Sequence, residues 1–270
     1  MSQHDIHVDP WSRQSVSNRT AVDEDSRELE LGMYPTMNAR AVQIPVGSSG
    51  VIHGDLVTPR GSGGLIVFAH GSGSSRQSPR NRRVADAFHG RRFSTLLLDL
   101  LTDGEEAIDH QTAQLRFDID LLAERLGEAI GFIADNPMTG QLPVGLFGAS
   151  TGAAAALVAA ARRPEGIAAV VSRGGRPDLA GAALGGVLAP TLLIVGGRDT
   201  KVLGLNRDAA NELQCPHELV VVPGATHLFE ETGALDEVAR LAGDWFATHL
   251  LAPAGRGLRV DPLGRSKATD

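Results

Sequence analysis

Cysteine is nearly absent. Cys215 stands alone among 270 residues, which excludes an intrachain disulfide framework. Aromatic residues are sparse at 4%, whereas 32 glycines are present; that balance favours helices packed closely on a sheet. Excess basic charge is missing as well. The formal net charge of −7 argues against nucleic acid as a partner. No apolar run approaches the roughly 20 residues needed to cross a bilayer; the longest, Ala153 to Ala161, is far shorter, so no membrane association is expected. The opening Met1–Ser2–Gln3–His4–Asp5 lacks a basic segment followed by an apolar core, so a cytoplasmic location is expected. The acceptor pattern Asn18–Arg19–Thr20 then has no use, because glycosylation requires secretion.

What the chain does have is enough length for one large core. Its 42% apolar and 21% charged content are ordinary for a globular protein. Residues 1–38 read as a poorly ordered polar leader, with the acidic cluster Asp23–Glu24–Asp25 and no sustained period. Residues 252–270 read as a flexible tail broken by Pro253, Gly255, Gly257, Pro262 and Gly264. Residues 39–251 form the predicted domain, and no internal repeat is visible.

Within that domain, strand and helix patterns alternate. Ala41–Pro45 and Val51–Val57 flank Gly47–Ser48–Ser49–Gly50 and predict an opening β-hairpin. Continuous apolar runs follow at Leu65–Ala69, Ser94–Leu98, Val144–Phe147, Ile167–Val171, Thr191–Val195 and Leu219–Val222. Runs of that kind belong to parallel strands covered on both faces. Leu115, Ile119, Leu122, Leu126, Ile130 and Ile133 recur every three or four residues and predict one amphipathic helix over about 112–135, stopped at Asn136–Pro137. Leu235, Val238, Leu241, Ala242 and Trp245 predict another. The expected fold class is therefore α/β, a mostly parallel doubly wound sheet with an antiparallel start. The short interval between Val171 and Thr191 leaves no room for a large lid domain.

The densest signal is Val144–Gly145–Leu146–Phe147–Gly148–Ala149–Ser150–Thr151–Gly152. A buried strand, a Gly-x-Ser-x-Gly turn and an alanine-rich helix are what a serine nucleophile elbow needs. Side chains at Gly148 or Gly152 would clash with the neighbouring strand and helix. Two further polar residues follow strand ends: Asp199 after Leu192–Arg198, and His227 after Val220–Thr226. A serine hydroxyl is too weakly acidic to attack unaided, so His227 is the candidate base and Asp199 the group that fixes its tautomer. Asp99, Asp103, Glu230 and Glu231 are rivals for the acid; the chain order Ser–Asp–His of this architecture favours Asp199. Activity is expected to fall on acidification as His227 protonates.

Phe68–Ala69–His70–Gly71–Ser72–Gly73 follows the first parallel strand. Its Ser72 N–H, together with that of Thr151, is the expected oxyanion hole. Gly71 lets this loop approach a substrate, and His70 shapes it. Arg76, Arg80, Arg82 and Arg83 come next, either as a solvated helix start or as an anion-binding rim using Arg76 or Arg80. Arg173 is a further candidate for substrate binding. Cys215 and His217 do not make a metal site; neither metal nor cofactor is expected.

The motifs His70–Gly71–Ser72–Gly73, Gly148–Ala149–Ser150–Thr151–Gly152, Gly196–Gly197–Arg198–Asp199 and Pro223–Gly224–Ala225–Thr226–His227 resemble those of α/β-hydrolases of the dienelactone hydrolase-like family. The stretch Gly73–Ser74–Ser75–Arg76–Gln77–Ser78–Pro79–Arg80–Asn81 is similar to members found alone or fused to phosphoribosyltransferase domains. The resemblance covers about residues 40–250 and implies the α/β-hydrolase fold with a serine triad. Dienelactone hydrolases proper carry cysteine at the nucleophile position, so serine at 150 points towards general ester hydrolysis. The expected function is that of a serine hydrolase on small carboxylic esters or lactones, with anionic substrates among the candidates and a homo-oligomer compatible. Acyl transfer and perhydrolysis would use the same triad. A non-catalytic ligand-binding or interaction module of the same fold would not need all three residues.

Overall fold

The computed structural model describes residues 39–48 and 50–251. The predicted leader and tail lie outside the described residues. Eight strands form one sheet: β1 (Arg40–Val46), β2 (Gly50–Val57), β3 (Gly64–Ala69), β4 (Phe93–Leu98), β5 (Val144–Ala149), β6 (Ala169–Arg173), β7 (Thr191–Gly196) and β8 (His217–Val222). Their spatial order is β1-β2-β4-β3-β5-β6-β7-β8. β1 pairs antiparallel with β2, and β2 with β4, before every later pair runs parallel. The apolar runs explain the middle of the sheet: every residue of β3, β4, β6 and β7 is buried. The edge strand β8 is mostly open.

Among the described residues, six α-helices cover the sheet: α1 (Pro79–His89), α2 (Asp103–Thr112), α3 (Ile119–Ala134), α4 (Thr151–Arg162), α5 (Thr200–Glu212) and α6 (Ala234–Leu250). Leu122, Leu126 and Ile130 of α3 pack with Ala154–Leu157 of α4 and Ala209 of α5 on one face. Val84 and Phe88 of α1 pack with Val238 and Phe246 of α6 on the other. The scarce aromatics are concentrated there. The Phe88 ring meets Phe68, Phe93, Phe147 and Phe246 at centroid distances of 5.8, 6.4, 6.0 and 5.7 Å, separations at which edge-to-face pairs add to plain area burial. Small residues serve the first face: α4 is buried from Thr151 to Ala160, and alanine lets it lie close to both sheet and α3.

The helix expected over 112–135 begins instead at Ile119. Ala113 takes a left-handed conformation (φ 55°) that ends α2, a 3-10 turn covers Leu115–Phe117, and the Asp118 side chain caps α3 by accepting from Leu121 N–H. Between β6 and β7 the chain forms a 3-10 segment, Pro177–Gly186, and no separate lid.

Candidate active site

The strand order turns at β3 and β5: β4 lies on one side of β3, while the chain continues outward from β5 on the other. Ligand crevices form beyond the carboxyl ends of strands at such a switch. Both loops carrying the strongest sequence motifs leave from there.

Ser150 connects β5 directly to α4. Its backbone sits at φ 51°, ψ −119°, a region that costs a non-glycine residue on the order of 1–3 kcal/mol. The fold holds it by bonds on both sides: Ser150 N–H donates to Arg173 O at 3.3 Å, and Arg176 N–H and Ala153 N–H donate to Ser150 O at 3.0 and 3.1 Å. A Cβ at Gly152 would collide with the carbonyl oxygens of Ala69 and His70. Glycine there lets α4 start against the β3 loop. A Cβ at Gly71 would sit 3.0 Å from the Ser150 Cβ, so Gly71 brings that loop against the candidate nucleophile.

The Asp199 and His227 loops are tied together. Gly197 N–H donates to Val222 O and Arg198 N–H to Ala225 O, both at 2.9 Å. His227 Nδ1 lies 2.7 Å from Asp199 Oδ2. A carboxylate only accepts, so Nδ1 carries the proton and the Nε2 lone pair is left for another group. Asp199 Oδ1 also accepts from Val202 N–H at the start of α5 (3.4 Å). Glu231 accepts Thr226 N–H on both carboxylate oxygens at 3.1 Å, fixing the residue before the histidine. Gly174, next to Arg173 in the β6 loop, abuts His227: a Cβ there would meet His227 O at 3.1 Å and Nδ1 at 3.5 Å. The structure thus joins Asp199 to His227 directly. It brings Ser150 to the Gly71 and Arg173 loops, and among the described residues the Ser150 hydroxyl makes no hydrogen bond to the imidazole. Catalytic hydrogen bonds of this kind are commonly loose without substrate.

The two amides expected for the oxyanion differ in their partners. Ser72 N–H donates to the Thr151 side chain, Oγ1, at 2.9 Å, so it is engaged within the protein. Thr151 N–H, in the first turn of α4, has no intrahelical acceptor by its position. His70 shapes the loop in a legible way. Leu100 N–H donates to His70 Nε2 at 3.3 Å, so Nδ1 bears the proton and donates to Gly71 O at 2.9 Å. Burial pushes the imidazole below its usual range. A cavity of about 340 Å³ adjoins this loop, with Gly71, Ser72, Thr151, Asp109, His110 and Arg116 in its wall.

The arginines separate into two kinds. Arg76 is already committed: its N–H donates to Asp99 Oδ1 at 2.8 Å, its guanidinium pairs with Asp99 Oδ2, and its Nε lies 3.5 Å from Asp55. It ties its loop to the end of β4 and to β2. Arg80 pairs with the exposed Glu230 at 3.2 Å. Arg173 differs. It is 6% exposed, and among the described residues it has no carboxylate partner. Its Nη2 donates to Asn81 Oδ1 at 3.1 Å, its Nε has no partner, and its guanidinium carbon stands 5.9 Å from the Phe229 ring centre. Burial, and then the like charge of Arg80, pushes its pKa down to about 10. Among the described residues no group of three or more His, Cys, Asp or Glu is arranged to hold a metal ion, and no helix is long and apolar enough to cross a membrane.

The sheet order, the strained serine turn and the short connections define an α/β-hydrolase. More narrowly, the chain belongs to the dienelactone hydrolase family, whose model matches residues 56–248. A crystal structure of a dienelactone hydrolase from Anabaena variabilis is 57% identical, superposes with a TM-score of 0.77, and is matched over 79% of this chain and 98% of that one. Est1E from Butyrivibrio proteoclasticus shares the fold at 14% identity, with a TM-score of 0.65 over 78% of this chain and 99% of that one. Two Mycobacterium tuberculosis proteins, from strains CDC 1551 / Oshkosh and ATCC 25618 / H37Rv and bearing a phosphoribosyl transferase name, are each 56% identical over 229 residues. The match covers 85% of this chain and 51% of each relative, so the chain spans about half the length of the curated relatives it matches.

Proposed function

We propose that the protein is a serine hydrolase of small carboxylic esters or lactones, with Ser150 as nucleophile, His227 as base and Asp199 as the orienting acid. The observation that carries this reading is the 2.7 Å contact of His227 Nδ1 with Asp199 Oδ2. It leaves the Nε2 lone pair free to accept a proton. In this mechanism Nε2 takes the Ser150 proton as Oγ attacks the carbonyl carbon. The carbonyl oxygen becomes negative and is met by Thr151 N–H. Collapse breaks the bond to the alcohol oxygen, which leaves with the proton from His227. Water then loses a proton to His227, attacks the acyl-enzyme, and the acid departs as Ser150 recovers its proton.

Arg173 directs the reading towards substrates with a second, anionic group. An almost fully buried guanidinium without a carboxylate is costly, and a substrate carboxylate would offset that cost. The backbone oxygen of Arg173, the last residue of β6, accepts Ser150 N–H, which supports a receptor near the reacting centre. The phosphoribosyl transferase name belongs to relatives twice as long, and it gives no role to these residues.

Labelling with a fluorophosphonate probe at neutral pH tests the assignment. Wild type is expected to label and Ser150→Ala not to. Equal labelling of both would place the reactive group elsewhere, and no labelling of either would favour a binding module.

A further inference from the structure

The Ser72–Thr151 hydrogen bond leaves a proton unassigned. A threonine hydroxyl has one proton to give and lone pairs to receive. At Thr151 a lone pair is taken by Ser72 N–H at 2.9 Å. That is the hydroxyl's only hydrogen bond among the described residues, so its own proton has no acceptor there. The residue is 2% exposed, and it lies in the wall of the cavity that adjoins the Gly71–Ser72 loop. A hydroxyl that accepts from an amide becomes a stronger donor, because the two bonds polarise one another. The sequence pattern suggested one amide from each of two loops for the oxyanion. In the fold, the loop amide reaches the hydroxyl of the residue that supplies the other amide.

We propose that the Thr151 hydroxyl is the second donor of the oxyanion hole. Ser72 N–H polarises it, and Thr151 N–H and Thr151 Oγ–H meet the developing charge together. This rests on Ser150 as the nucleophile. It makes Thr151 a catalytic residue, and gives Ser72 a positioning role exerted through the threonine.

Thr151→Val keeps the branched shape and removes the proton. With 4-nitrophenyl acetate as probe, kcat is expected to fall about 10²- to 10³-fold, the usual loss of an oxyanion donor, with KM within about twofold, since the interaction forms only as charge develops. Thr151→Ser restores the hydroxyl and is expected to recover most of kcat. A Thr151→Val enzyme with normal or raised kcat would overturn the proposal: Ser72 N–H would be the true donor and the hydroxyl merely its resting partner. If the valine variant fails to fold, a crystal structure of the wild-type phosphonate adduct decides. A phosphonyl oxygen within hydrogen-bond distance of Thr151 Oγ1 supports the proposal. An adduct on Ser150 whose oxygen binds Ser72 N–H, with the threonine hydroxyl turned away, overturns it and leaves the serine assignment standing. An adduct on any other residue overturns both.

Discussion

At the scale of the residue, Arg173 is a charge that the fold buries without a counter-charge among the described residues. Its guanidinium is buried beside Phe229 and Asn81 with no carboxylate, and its pKa is pushed down to about 10. A value depressed in the fold means that holding this charge in its buried place costs the fold free energy. Because the folded-state value is depressed, the charge opposes folding at all pH below about 10, and the opposition is relieved as pH rises through that value. Arg173→Met is therefore expected to raise the thermal midpoint while raising KM for esters that carry a carboxylate, with little change for neutral esters of equal size. Parallel melting curves and KM values for matched neutral and anionic esters check this. A lowered midpoint, or an equal effect on both esters, would mean that Arg173 is a structural strut. The contrast with Arg76, spent on Asp99 and Asp55, depends on which carboxylate the fold brings near. One-dimensional spacing cannot supply that, whereas the order of Ser150, Asp199 and His227 after their strands can be read from the chain.

At the scale of the element, legibility follows burial. β3, β4 and β7 are buried throughout, so each appears as an unbroken apolar run. α2 is nearly invisible to periodicity because Asp109 is its only buried residue. Its signature is the capping box, in which Glu105 N–H donates to Thr102 Oγ1 and Thr102 N–H donates to Glu105 Oε2, a local pattern outside any apolar stripe. The start of α3 is obscured because Leu115, in the 3-10 turn, keeps the helical spacing with Ile119 across Asp118. The break is enforced by Asp118, whose exposed carboxylate accepts from Leu121 N–H at 3.0 Å. Asp118→Ala is expected to cost about 1 kcal/mol, a fall of about 2–4 °C in a domain of this size, with hydrolase activity unchanged. A midpoint equal to wild type would show that packing of Leu122 and Leu126 alone sets where α3 begins.

At the scale of the whole molecule, acid acts on both faces of the sheet and in two stages. His70 in the β3 loop, His89 at the end of α1 and His249 in α6 are all held below the usual histidine value, in each case chiefly by burial. A depressed folded-state value means that the unfolded chain takes the proton first. Their contribution is complete above pH of about 6.5 and declines as pH falls below it, by up to about 1.4 kcal/mol per pH unit for each histidine still neutral in the fold. A second set answers at lower pH. Glu105 is opposed by its burial but held low by the Thr102 amide and Arg125; Asp109 is likewise opposed by burial and held low by the Arg116 amide and side chain. Asp244 is held low first by Arg91. These carboxylates support the fold above their ordinary range and lose that support as pH drops through their lowered values. Stability is therefore expected to be level from about pH 8 to 7, to decline as pH falls below about 6.5, and to fall again below the ordinary carboxylate range of about 4. The first step should weaken in His70→Gln, because an uncharged amide takes up no proton in either state. Thermal midpoints in buffers of constant ionic strength measure the profile. A midpoint unchanged between pH 7.5 and 5.5 would mean that protonation of these histidines is as easy in the fold as in the open chain, and would remove the neutral, Nδ1-protonated His70 on which the shape of the Gly71–Ser72 loop depends.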